Sequence, residues 1–279
     1  MANANNVVVY MYHHVNETPG SLTVSAQHFE HQVKGLAMRG YRCLGAEEFA
    51  DFLAGKPVPR KSVVLTFDDG YLDNWVYAHP VLKRYGMKAV LFTVTGLIGD
   101  GAVRAHAGQG GPLPDCPSHD VAKRRMYSAD RDDVMLRWDE IHQMLDAGTF
   151  EIHSHTHTHT RWDLTCATAE EKTQRFHDDM QASRQMLVNR LGQASRHLCW
   201  PQGYFDADYQ RVSKALGFDH FYTTDPRGQN RAGDDPGHIY RIAIRNRPYA
   251  WLRQRTWLAS HPTFGPIYNR WKGGSSLSR

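Results

Sequence analysis

The sequence predicts an α/β barrel, and three observations carry that prediction. Stretches of strand character alternate with stretches of helical period at least six times, the pattern of a parallel sheet with crossover helices. The strand stretches are continuous apolar runs, as in strands covered on both faces. Residues able to do chemistry gather just past the ends of these runs, where barrel enzymes keep their active sites. The length of 279 residues suits one such barrel, so a single domain over 1–279 is expected, with no internal repeat or linker.

The first strand is read at 6–12 (Asn-Val-Val-Val-Tyr-Met-Tyr) and ends at His13-His14. Over 25–39, Phe29, Val33, Leu36 and Ala37 recur at helical spacing, and Gly40 follows as a C-cap. A shorter helix is read at 47–53. Pro57 and Pro59 then break the chain before a strand at 63–67. Trp75, Ala78, Val81, Leu82 and Tyr85 mark a helix over 73–85 that closes at Gly86, with a kink expected at Pro80. A strand at 88–95 leads into 99–133, which is rich in Gly and Pro without a sustained period and reads as a long functional loop. Trp138, Ile141, Met144 and Leu145 form a helix ended by Gly148, and the strand at 149–153 follows. Thr168-Ala-Glu-Glu171 has the form of a capping box opening a helix through Phe176, Met180, Leu187 and Leu191. Strands at 197–200, 218–223 and 238–244 complete the series, with a helix ending near Leu216 between the first two.

Composition sets outer bounds. With 41% apolar and 22% charged residues this is an ordinary globular chain, and no run approaches the roughly 20 apolar residues that span a bilayer. The start, Met1-Ala-Asn-Ala-Asn-Asn6, lacks the basic and apolar regions of a secretory signal, so a cytoplasmic location is expected, or a periplasmic one if the chain is trimmed. Cys43, Cys116, Cys166 and Cys199 form no C-x-x-C pair and read as free thiols in a reducing compartment. A net charge of +4 gives no reason to expect nucleic acid.

Two clusters carry chemistry. Val63-Val-Leu-Thr-Phe-Asp-Asp-Gly70 runs a strand into adjacent carboxylates, which repel each other unless a cation or donor lies between them. A divalent metal removes the conflict: one carboxylate ligates, and the other serves as base toward water. The other reading is a plain Asp-Asp-Gly turn whose aspartates accept backbone hydrogen bonds. His153, His155, His157 and His159 alternate. A continued strand would turn all four to one side, whereas a helical turn would pair His155 with His159. Catalytic zinc is commonly held by a few His and carboxylate ligands, so one Asp with two His is a complete set. Against this stands a solvent-exposed histidine-rich loop.

Thr66-Phe-Asp-Asp-Gly70, Ser154-His-Thr-His-Thr-His159 and, in part, Pro201-Gln-Gly203 resemble the first three motifs of the polysaccharide deacetylases of carbohydrate esterase family four, the NodB-like group. The resemblance runs from Val7 to about Ile244 and implies a distorted (β/α)7 barrel. It implies Asp68 as general base and Asp69, His155 and His159 as ligands of one divalent metal, usually zinc, with Co2+ or Ni2+ as alternatives. The N–H of Gln202 would stabilise the oxyanion and Trp200 would line the sugar site, unless Trp200 is simply a core residue. His153 and His157 receive no ligand role.

Departures from the family pattern matter as much. Cys199 stands where most members have the arginine that orients the base, and Arg241 is the candidate substitute, with a plain salt bridge as the other reading. The family's general-acid histidine follows an apolar strand as Leu-x-His, but here that strand reads Ile242-Ala-Ile-Arg245. Tyr12-His13-His14 resembles an element of the poly-β-1,6-N-acetylglucosamine deacetylases. By that resemblance His13 would protonate the leaving amine or hold substrate there, unless it is only structural.

From about residue 246 the chain changes flavour. Arg245, Arg247, Arg253, Arg255, Arg270 and Lys272 interleave with Tyr249, Trp251, Trp257, Tyr268 and Trp271. This reads either as a helix covering the barrel or as a peripheral contact with an anionic inner-membrane surface. The expected function is a metal-dependent hydrolase that removes acetyl groups from N-acetylated amino sugars of a polysaccharide or lipid-linked glycan. Deformylation, O-deacetylation or a silent carbohydrate-binding module are the alternatives, and no protein partner can be read.

Overall fold

A computed structural model describes residues 3–265 and 267. Seven apolar runs form the strands β1 (Val8–Tyr12), β2 (Ser62–Asp69), β3 (Ala89–Thr93), β4 (Phe150–Ser154), β5 (His197–Cys199), β6 (His220–Tyr222) and β7 (Ile242–Ala243). All their pairings are parallel, in the order β7-β1-β2-β3-β4-β5-β6, and the short strand Arg42–Cys43 also pairs with β2. Every residue of β1 and β2 is buried, which explains their unbroken apolar runs. The sheet curls until its ends nearly meet. Ile239 bridges Tyr222 of β6, and three residues later Ile242 pairs with Tyr10 of β1, so one short segment touches both edges. This is the distorted (β/α)7 barrel that the motifs implied.

The crossover helices are α1 (Ala26–Met38), α2 (Ala46–Leu53), α3 (His79–Tyr85), α4 (His119–Arg125), α5 (Trp138–Asp146), α6 (Trp162–Thr165), α7 (Ala169–Leu191) and α8 (Ala207–Ala215), with α9 (Tyr249–Ser260) after β7. Ser25 caps α1 by accepting from the N–H of His28, and Thr168 caps α7 by accepting from that of Glu171.

Two elements differ from expectation. Instead of one kinked helix over 73–85, a π-helical turn at Asn74–Ala78 leads into α3. Pro80 lies inside this continuous helical run, and the carbonyl of Val76, which its missing N–H cannot serve, accepts from the N–H of Ala107 at 2.9 Å instead. The stretch 99–133 is not a bare loop: it holds α4 and a 3-10 turn at Ala129–Asp133. Its base is pinned by Arg104, whose guanidinium donates to both oxygens of the buried Glu140 and to the carbonyl of Met135. Seven residues of α4 give too few turns for an apolar period to stand out.

The helix α9 covers the barrel. Leu252 is fully buried, Thr256 shares a 2.6 Å hydrogen bond with Tyr10 of β1, and a Cβ added to Gly35 of α1 would lie 2.2 Å from the Tyr249 ring. Tyr268, Arg270, Trp271 and Lys272 lie outside the described residues. No helix among the described residues is long and apolar enough to cross a membrane.

Candidate active site

Asp68 and Asp69 are the last residues of β2. Successive side chains of a strand point to opposite faces, but Asp69 (φ 74°) and Gly70 (φ 91°) take left-handed backbone that breaks the alternation. Both carboxylates consequently border one cavity of about 220 Å³. Left-handed backbone costs a non-glycine residue on the order of 1 kcal/mol, a strain typical of functional sites.

The two carboxylates are held in unlike ways. Asp68 accepts a two-pronged pair from Arg241, Nη1 to Oδ1 at 2.7 Å and Nη2 to Oδ2 at 2.8 Å, with both residues buried (2% and 0% exposed). The rest of the guanidinium is used as well: Nε donates to the carbonyl of Thr223 at 2.7 Å, Nη1 to Thr66 Oγ1 at 3.0 Å, and Nη2 to Cys199 Sγ at 3.0 Å. Arg241 thus reaches the base from beside β7, with the sulfur of Cys199 against its guanidinium. Burial alone would raise the Asp68 carboxyl, but the Arg241 charge and hydrogen bonds outweigh it and hold the group below the usual carboxylate range.

Asp69 faces histidines instead. Its Oδ1 is 3.3 Å from His155 Nε2 and 3.6 Å from His159 Nε2. His155 Nδ1 is 2.8 Å from the carbonyl of Cys199, to which it must donate. Against burial, Cys199 and the Asp69 carboxylate raise the His155 imidazole well above its ordinary value, so a proton on Nε2 bridges to Asp69, and a divalent cation at this point would take that proton's place. The donor atoms of Asp69, His155 and His159 all lie within 4.8 Å of one another, and this mixed oxygen and nitrogen set suits a zinc-type ion. An overlapping set of Asp68, His155 and Cys199 fits less well. Asp68 is already taken by Arg241, and burial pushes the Cys199 thiol up, which keeps it protonated and a poor ligand. Burial lowers His159 to about 4, while the neighbouring histidines hold the Asp69 carboxyl far below its ordinary value despite burial.

The histidine cluster does not continue as a strand. After Ser154 the chain turns through left-handed Thr156 (φ 66°) and His159 (φ 60°). Ser154 Oγ accepts from the N–H of Thr156, and Thr156 Oγ1 from that of His159. Asp179 of α7 accepts from the N–H groups of His157 and Thr158. This turn brings His155 and His159 together and sends the others away: His153 pairs with Ser195 Oγ at 2.7 Å and His157 with Thr95 Oγ1 at 3.0 Å.

His13, Trp200 and Gln202 border the same cavity. His13 Nε2 stands 3.9 Å from Asp68 Oδ2, and burial lowers its imidazole against the pull of both aspartates. Trp200 is both core and wall: its ring is fully buried and stacks on Phe205 at 5.5 Å. Gln202 adopts left-handed backbone (φ 57°) just after Pro201. Sequence reasoning missed His119, Lys123, Met126 and Tyr127, which α4 and the turn after it bring to the cavity. Ser118 before a seven-residue helix was the one local signal for them.

A model of the polysaccharide deacetylase family matches residues 55–221. The chain is 27% identical over 224 residues to YxkH of Bacillus subtilis, which bears the polysaccharide deacetylase name, covering 80% of this chain and 66%, just under two thirds, of YxkH. It is 23% identical over 258 residues to the poly-beta-1,6-N-acetyl-D-glucosamine N-deacetylase of Staphylococcus aureus, covering 91% of this chain and 78% of that one. The solved structure of the Streptococcus pyogenes deacetylase PplD in complex with acetate superposes with a TM-score of 0.71 at 21% identity, over 91% of this chain and 99% of PplD, a likeness of fold. With 167 of its residues matched by the family model, and with the family's acidic and histidine motifs meeting in one cavity, the chain belongs to the polysaccharide deacetylase family.

Proposed function

We propose that this chain is a metal-dependent N-deacetylase that removes acetyl groups from N-acetylated amino sugars of a polysaccharide or lipid-linked glycan. Family membership supports deacetylation of a carbohydrate. The observation that carries the finer reading is the division of labour between adjacent aspartates, with Asp68 clamped by Arg241 and Asp69 turned to two imidazoles.

Asp69, His155 and His159 would hold the divalent ion, zinc for preference with Co2+ or Ni2+ as alternatives. That ion would supply Lewis-acid polarisation of the acetamide carbonyl and of the attacking water. Asp68, kept ionised and aimed by Arg241, takes the proton from that water. Attack on the carbonyl carbon breaks the C–N bond and yields acetate and a free amine. The N–H of Gln202 is assigned to the oxyanion, where one such donor lowers the barrier by roughly 3 kcal/mol. Trp200 forms the wall on which the sugar rests. His13, facing the base's oxygen, holds the acetamide beside the attacking water.

Contact with an anionic membrane surface is proposed for the outer side of α9, supported by Trp257, which is 55% exposed, and by the neighbouring exposed Phe264 and Ile267. The central test is acetate release from an N-acetylglucosamine oligomer, assayed in parallel with formate release. The expected result is acetate alone, abolished by a chelator and by Asp68→Asn, with metal content unchanged in the variant. Metal binding without release of either acid across a panel of acylated sugars would sink the reading.

A further inference from the structure

A buried chain of three side chains ends in the cavity through α4. Asp73 Oδ2 lies 2.6 Å from His14 Nδ1 and accepts from Asn16 Nδ2 at 2.9 Å, while Asp73 Oδ1 accepts from Asn74 Nδ2 at 2.9 Å. His14 Nε2 lies 3.1 Å from His119 Nδ1. The His14 ring is fixed by stacking on Tyr71, with centroids 3.9 Å apart. Asp73 and His14 are buried (3% and 1% exposed), whereas His119 (9%) lines the cavity that holds Asp68 and Asp69. A carboxylate only accepts, so His14 carries hydrogen on Nδ1. Its Nε2 is then the atom that can exchange a proton with His119 Nδ1, which leaves His119 Nε2 for the cavity.

The reaction proposed above needs a proton on the departing nitrogen, and the family's acid position is occupied by the Ile242-Ala-Ile-Arg245 strand. We propose that His119 delivers this proton, drawing it through His14 from an imidazolium held against Asp73. The inference rests on the N-deacetylase reading. In the step, the His119 Nε2–H bond breaks as the amine N–H bond forms. The proton on His14 Nε2 moves to His119 Nδ1, and His14 is left neutral with Nδ1–H still on Asp73. To reset, solvent in the cavity protonates His119 Nε2, the His119 Nδ1 proton passes back to His14 Nε2, and Asp68 releases the proton taken from water. Burial, followed by the neighbouring His14, keeps His119 below its ordinary imidazole value, which suits a neutral ring passing a proton from one nitrogen to the other. His14 and Asp73 are positioning residues here, because they act through His119.

The test compares two acetyl donors on the zinc-loaded full chain. An N-acetylglucosamine oligomer expels an amine that must be protonated, whereas 4-nitrophenyl acetate expels a phenolate that needs no proton. For His119→Gln and Asp73→Asn the expected result is a fall in kcat on the oligomer of about 10²–10³-fold, with KM and zinc content as in the parent and ester cleavage within about twofold. Equal losses on both donors would make the chain merely structural, and no loss on either would remove its role; both outcomes overturn the proposal. In the metal-free full chain, 15N spectra should show His119 as the Nε2–H tautomer at neutral pH, and the Nδ1–H tautomer would overturn it too. Parent protein that releases acetate from neither donor refutes the deacetylase reading itself, a failure distinct from the others.

Discussion

The Arg241 fork on Asp68 gives the sharpest quantitative prediction. Replacing Arg241 by Met keeps much of the volume but leaves the buried Asp68 without its partner. Breaking a buried pair from one side costs about 3–5 kcal/mol. At an unfolding entropy of about 2.1 cal/mol/K per residue, a chain of this length has roughly 0.6 kcal/mol/K, so Tm should fall by about 5–9 °C. The sign of the pH dependence follows from the direction of the shift. In the parent, Asp68 titrates below its unfolded value of about 3.9, so the pair's contribution is fully present above that pH and is lost as pH falls through the depressed folded value. In Arg241→Met burial acts unopposed and raises the carboxyl, so the stability gap between parent and variant should narrow as the medium is acidified. The acid limb of activity should move to higher pH at the same time. Arg241→Lys keeps a charge but loses one of the two prongs. A hydrogen bond to a charged group is worth about 1.5–3 kcal/mol, so kcat/KM should drop roughly 10- to 100-fold. Thermal melts and pH–rate profiles on the purified variants check both. An unchanged acid limb, with Tm within about 1 °C of the parent, would refute the idea that this pair sets the base.

Two further outcomes test other parts of the site and surface. His13→Ala should keep bound metal, since His13 lies outside the Asp69, His155 and His159 set, yet lose most turnover and raise KM; full activity would remove His13 from the site. Trp257→Ser with Phe264→Ser should weaken flotation with anionic liposomes relative to the parent while leaving Tm nearly unchanged, because both side chains are exposed. Truncation near Arg245 is a poorer probe, since it removes the buried Leu252 and the Thr256–Tyr10 hydrogen bond along with any membrane contact. Equal flotation of parent and double variant would end the membrane proposal.

By itself the sequence determined the barrel class, the order of its strands along the chain and the meeting of the acidic and histidine motifs. These are written in local patterns: unbroken apolar runs in β1 and β2, helical spacing between them, and reactive residues at strand ends. Arg241 could be nominated only through the gap left at Cys199. Its fork on Asp68 depends on the chain returning, 173 positions later, to the edge strand two places from β2. The motif resemblance singles out His155 and His159, but what physically gathers them and sends His153 and His157 away is a turn that Asp179 of α7 holds from 20 residues or more away. His119 was out of reach for a related reason. A seven-residue helix carries no readable period, and its place at the cavity is set by contacts such as His14 with His119 across 105 residues of chain. Short-range patterning is imprinted in the sequence because each residue must suit its own strand or helix, whereas a hydrogen bond between distant side chains leaves no trace in either neighbourhood until the tertiary fold brings them together.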